Sequence, residues 1–172
     1  MKKLKLTDYI IYTVIIACII ALDQITKALA VKFLDPIDTY PLIKDVLHLT
    51  YAENKGAAFG ILADARWVFM SISIIAIGAL MFGLYAGFMK GGITLTTISV
   101  CLISAGGIGN MIDRIALEYV VDFIELRFID FAIFNVADCA VCIGAGMLFL
   151  AVLLDIIKEA REKKNEENEK NG

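Results

Sequence analysis

The chain has 172 residues, 59% of them hydrophobic, with a net charge of −3 and a mean hydropathy of +0.77. A water-soluble domain of this length carries far fewer apolar residues, so the composition points to a single-domain integral membrane protein. The slight negative charge, with no basic cluster among aromatics, gives no support to nucleic-acid binding.

The basic start Met1-Lys2-Lys3-Leu4-Lys5 precedes an apolar run over residues 9–22. That run and the later Ala28-Leu29-Ala30 imitate a secretory signal peptide. Asp23 and Lys27 stand between them, where such peptides are usually uncharged, and further apolar runs follow. Spaced i,i+4, these two charges share a helix face and can pair. One helix over about residues 9–31 would hold them near its far end.

Residues 34–66 form a polar connection broken by Asp35-Pro36 and Tyr40-Pro41. The stretch Val46-Leu47-His48-Leu49-Thr50-Tyr51 is rich in strand formers, and His48 reads as a strand residue rather than a catalyst. Next come Asn54 and the small-residue turn around Gly56. A connection this long is expected to fold into something functional.

Residues 67–88 carry no charge and are long enough to span a bilayer. Ala79, Gly83 and Gly87 recur every fourth residue and would let another helix approach. A third uncharged run, 93–112, ends in Asn110, Asp113 and Arg114, and a fourth covers 139–154. The segment 155–172 carries six acids and five bases and is expected to fray into a solvated, disordered tail. This divides the chain into a four-helix membrane unit over 1–157 and a charged cytoplasmic tail over 158–172.

Cys18, Cys101, Cys139 and Cys142 all lie in apolar runs and read as small packing residues. With one histidine in the chain, neither a zinc site nor a histidine-based hydrolase is favoured. Nine basic residues fall in the termini and the link at Lys90, against seven on the opposite side. Lys27 and Arg114 count for little among the seven, because both stand beside aspartates. The positive-inside rule then puts both termini in the cytoplasm.

In this topology the polar ends of three helices face one side. They bring Asp23 and Lys27, then Asn110, Asp113 and Arg114, then Asn135 and Asp138, with Asn54 and Asp122 emerging from connections nearby. Charges in lipid must face the bundle interior and find partners. Asp23–Lys27 and Asp113–Arg114 read equally well as structural ion pairs. Gly106, four residues before Asn110, would clear space beside it. Asp122 and Asp138 differ, since neither has a basic partner at helical spacing. Asn135 and Asp138 also fit a helix cap with an acid in the first turn. Two unpaired acids at one interface tend to share a proton and so supply a base and an acid together. That is the logic of aspartic peptidases. A transporter is the alternative, because intramembrane Asp, Lys and Arg also mark ion paths. It predicts charge at mid-membrane and internal repeats, and neither is present. A presenilin-type peptidase would carry Gly-x-Gly-Asp where Gly107-Ile108-Gly109 is followed by Asn110.

At these residues the sequence resembles the lipoprotein signal peptidase family, signal peptidase II. Five motifs carry the resemblance, in family order: Asp23-Gln24-Ile25-Thr26-Lys27, Asn54-Lys55-Gly56-Ala57-Ala58-Phe59, the run from Gly106 to Arg114, Val121-Asp122-Phe123, and Phe134-Asn135-Val136-Ala137-Asp138. The resemblance implies an all-α membrane protein with four transmembrane helices, a small extracytoplasmic β-sheet and a loop helix over the site. It implies an aspartic endopeptidase of the bacterial cytoplasmic membrane, working near the extracytoplasmic face. Its substrates would be prolipoproteins, cut just before a diacylglyceryl-modified cysteine. The catalytic residues would be Asp122 and Asp138, with Asp23, Lys27, Asn54, Asn110, Asp113, Arg114 and Asn135 in support. No metal or organic cofactor is implied. Membrane lipid is the other expected partner, and a monomer is expected.

Overall fold

The structure, a computed structural model, describes residues 4–56, 66–86 and 92–171. Ala57, Ala58 and Phe59 of the second motif, Gly87 of the small-residue stripe and the link at Lys90 lie outside the described residues. The described part of the first connection holds a hairpin; its remainder, where a loop helix was expected, lies outside them too.

Among the described residues, four helices and three strands follow in the order α1 (Leu6–Phe33), β1 (Thr39–Ile43), β2 (Leu47–Asn54), α2 (Arg66–Tyr85), α3 (Leu95–Ala116), β3 (Val120–Leu126) and α4 (Val136–Asn171). Three of the helices, α1, α3 and α4, are long and apolar enough to cross a membrane, and the apolar helix at Met70–Tyr85 is shorter. Large apolar side chains such as Ile75, Phe82, Phe149 and Ile156 point outward. This is the reverse of a soluble bundle and suits a lipid surround.

One apolar cluster joins Tyr12 and Ile16 of α1, Leu84 of α2, and Val100, Cys101 and Ala105 of α3. The Tyr12 hydroxyl closes its end by donating to the Gly92 carbonyl at 2.8 Å. The small-residue seam lies between α3 and α4 instead of on α2, where Ala79 is exposed. A Cβ on Gly106 would strike the Ala137 carbonyl and Val141, so Gly106 admits the start of α4 rather than clearing space for Asn110. A Cβ on Gly144 would meet the Ser99 carbonyl at 2.9 Å. Such glycines let helix backbones approach closely. Of the four cysteines Cys101 is buried and Cys139 half-buried, while Cys18 and Cys142 are exposed, so the packing role fits only part of the set.

The strands form one antiparallel sheet in the order β1-β2-β3. β2 is the stretch read as strand-like around His48, and β3 carries Asp122 opposite Ala52. Asp45 takes φ 58° in the β1–β2 turn, a conformation aspartate tolerates better than most residues. Val121 and Phe123 of β3 pack on Ala30 and Leu34, which ties the sheet to the end of α1.

The expected disordered tail is helical. α4 continues without a break to Asn171, and its described side chains past Asp155 are exposed. Glu, Lys, Arg and Ala are strong helix formers, and the apolar part of α4 already bears the nucleation cost. The exposed Lys158–Glu162 pair at 3.8 Å adds little.

Candidate active site

The structure joins Asp23, Lys27, Asn54, Asn110, Asp113, Arg114, Asp122, Asn135 and Asp138 into one hydrogen-bonded network. Its base is Lys27, only 3% exposed. The ammonium lies 2.9 Å from Asp23 and 2.9 Å from Asp113. Asp113 therefore pairs across helices with Lys27, not with its neighbour Arg114. Successive helical residues point about 100° apart, so adjacency in sequence does not bring them together. Asp23 also accepts from the Ala137 amide at 2.9 Å, so α1 supplies a carboxylate to the N-terminus of α4. Gly109 leaves the room for this: a Cβ there would sit 2.6 Å from Asp23 Oδ2.

Sequence reasoning passed over Gln24 as a site residue. Its amide donates to Asp23 at 3.2 Å, to the Gly109 carbonyl at 3.2 Å and to Asp113 at 3.0 Å. Its place beside Asp23 in the first motif was the available signal.

Above this base stands Asn110. Its Oδ1 accepts from Lys27 at 2.9 Å and from Asn135 at 3.0 Å. Both bonds fix which way the amide points, so its NH2 group faces Asp138 Oδ1, at 2.7 Å. Asn135 Oδ1 accepts from the Asp138 amide at 2.9 Å, and Asp138 Oδ2 accepts from the Asn135 amide at 3.1 Å. This is a reciprocal capping box at the start of α4. The cap reading and the catalytic reading thus concern the same atoms.

The Asn135 side chain, fully buried, also reaches Asp122 Oδ1 at 2.6 Å. Asn54 donates to Asp122 Oδ2 at 2.9 Å. One residue therefore bridges the two aspartates, one from β3 and one from α4. Asp122 is 2% exposed. Asp138 opens onto a cavity of about 450 Å³, lined also by Asn54, Arg114, Phe131, Ile133 and Cys139. The Arg114 guanidinium donates to the Asn110 carbonyl at 3.3 Å. His48 lies in β2, 3.5 Å from the Thr39 hydroxyl, and takes no part in the network. Arg127 pairs with Glu125 at 2.9 Å rather than with either aspartate.

Burial pushes the Asp122 carboxyl from 3.8 up to about 6. The charge of Asp138 adds to the rise, while the bonds from Asn54 and Asn135 and the charge of Lys27 oppose it. With the folded value raised, the stability this group contributes is fully present below about pH 3.8 and is lost as pH rises through about 6. An amide at position 122 does not titrate. Relative to the native chain, Asp122→Asn is expected to gain about 3 kcal/mol of stability between pH 3.5 and pH 8. Thermal unfolding in detergent across that range checks it, and parallel pH curves would contradict it.

Comparison with known proteins places the chain in a family. The sequence profile of a family described as Signal peptidase (SPase) II matches residues 15–154. The lipoprotein signal peptidase of Brevibacillus brevis is 44% identical over 144 residues, covering 84% of this chain and 95% of the relative. That of Clostridioides difficile is 40% identical, covering 83% and 95%. A bacterial membrane enzyme solved by the in meso method at 2.3 Å superposes with a TM-score of 0.78 at 32% identity, covering 90% of this chain and 93% of its own. A second such enzyme, at 1.9 Å, gives 0.74 at 32% identity, covering 88% and 96%. With the profile running through both aspartates and the relatives matched along nearly their whole length, the chain belongs to the signal peptidase II family, bacterial membrane proteases that process lipoprotein signal peptides.

Proposed function

We propose that this protein is an aspartic endopeptidase that removes the signal peptide from prolipoproteins, cutting just before the diacylglyceryl-modified cysteine. The observation that carries this reading is the pairing of Asp122 and Asp138 through Asn135, with Asp138 at the wall of an apolar cavity. Asp122, the more deeply buried of the two and pushed upward by that burial, is assigned the shared proton. Asp138 acts as base and takes a proton from water as the oxygen attacks the scissile carbonyl. Asp122 protonates the carbonyl oxygen to give a gem-diol. On collapse, Asp138 returns its proton to the leaving cysteine nitrogen, the C–N bond breaks, and Asp122 recovers a proton from the gem-diol. The products are a carboxylate-ended signal peptide and a lipoprotein with a free amine on its lipidated cysteine. Four carboxylates against two cations, Lys27 and Arg114, favour keeping one proton in the site.

In this reading all four helices span the cytoplasmic membrane and both termini are cytoplasmic. The sheet and the dyad lie at the extracytoplasmic face, in a monomer, with 158–172 as a cytoplasmic extension of α4. Lipid on the substrate cysteine holds the scissile bond at the depth of the helix ends, where Asp138 sits. The test presents the purified protein with a diacylglyceryl-modified precursor and with the same precursor unmodified. The modified form is expected to be cut at least about 100-fold faster, because anchoring raises its local concentration and fixes its depth. Equal cutting of both would reject the lipid-dependent reading.

A further inference from the structure

Among the described residues, no strand pairs with β3 along its outer edge beyond Phe134. Phe134 closes the outer edge of β3 at one point: its amide donates to the Ile124 carbonyl at 3.1 Å, and its carbonyl accepts from Ile124 at 2.8 Å. Antiparallel pairing continued by two residues would join Leu126 to Ala132. Instead the chain parts there, and both residues line the cavity that ends at Asp138. Among the described residues, the backbone of Ala132 and Ile133 makes no hydrogen bond. β3 meanwhile stays with β2, since the Arg127 amide bonds the Val46 carbonyl at 2.9 Å. The slot thus has a strand edge on one wall and, on the other, a half-buried segment whose backbone groups are open among the described residues. Polar backbone groups in a largely apolar wall need partners, and an inserted extended peptide supplies them on both sides.

We propose that the precursor residues before the scissile bond bind as an added strand between Leu126 and the Ala132–Ile133 segment, held by main-chain hydrogen bonds that present the scissile bond to Asp138. This rests on the peptidase reading, and it assigns Leu126, Ala132 and Ile133 a positioning role through their backbones. In a strand, successive amides point to opposite sides. The test is a scan in which each amide upstream of the cleavage site of a diacylglyceryl-modified peptide is N-methylated in turn. Both cleavage and direct binding of the labelled peptide are measured. Methylation is expected to weaken binding and kcat/KM by about 10-fold at two neighbouring residues, whose amides point one to each wall, and to have little effect further upstream. Binding weakened at that neighbouring pair in a peptide that is not cleaved would support the slot and reject the peptidase reading. Cleavage insensitive to methylation, or sensitive only at every second residue, would overturn the slot and leave the peptidase reading standing. A peptide neither bound nor cut would reject both.

Discussion

Asp138→Asn is expected to lower cleavage of the modified precursor by at least about 10⁴-fold while the protein still folds, and Asp122→Asn to do the same. An amide neither accepts the proton of the attacking water nor delivers one to the carbonyl oxygen. The fold survives because the network loses little. The oxygen of a side-chain amide at position 138 still accepts from the Asn135 backbone N–H and keeps that half of the capping box. Its NH2 group would meet the NH2 of Asn110, which Lys27 and Asn135 prevent from turning over. One bond is therefore lost, at a cost of about 1–2 kcal/mol. Single-turnover assays beside unfolding curves in detergent separate the two effects. Retained turnover in either variant would remove the dyad.

Lys27→Ala carries the largest expected loss of stability, because it strands two carboxylates. Asp23 is fully buried and Asp113 is 3% exposed, and both lie 2.9 Å from the ammonium. An uncompensated buried charge costs about 3–5 kcal/mol, so the melting temperature should fall by on the order of 10 °C. Lys27→Met combined with Asp23→Asn and Asp113→Asn should recover part of this, since neutral groups no longer need the cation. Full stability of Lys27→Ala with complete loss of turnover would instead make the lysine a catalytic group.

The residues that the network joins were legible in the sequence as a group, because charge inside an apolar run has few innocent explanations. The wiring between them was not. Asp113 and Arg114 are neighbours in the chain, yet the carboxylate turns to a lysine on another helix. Asn110 was visible as a polar residue in α3, but nothing in the spacing shows that Lys27 orients its amide. Gln24 is uncharged and drew no notice, though it ties three groups together. The strand character of 46–51 was readable from β-branched and aromatic residues. Its pairing with β3 was not, because the two strands are separated by α2 and α3. The seam glycines deceived in both directions. A regular stripe on α2 leaves Ala79 exposed, while Gly106, Gly109 and Gly144 decide where α4 and Asp23 fit.

Asp113 Oδ2 takes both the Lys27 ammonium and, at 3.1 Å, the Val121 amide of β3. The strand bearing Asp122 is thereby moored to a buried charge pair one residue before the aspartate. Lifting β3 away from the helices would break that bond and leave Asp113 one partner short, whereas among the described residues β1, largely exposed, is held by β2. On the peptidase reading, the aspartates would keep their spacing as a substrate enters, and the outer hairpin and the proposed slot would give way instead.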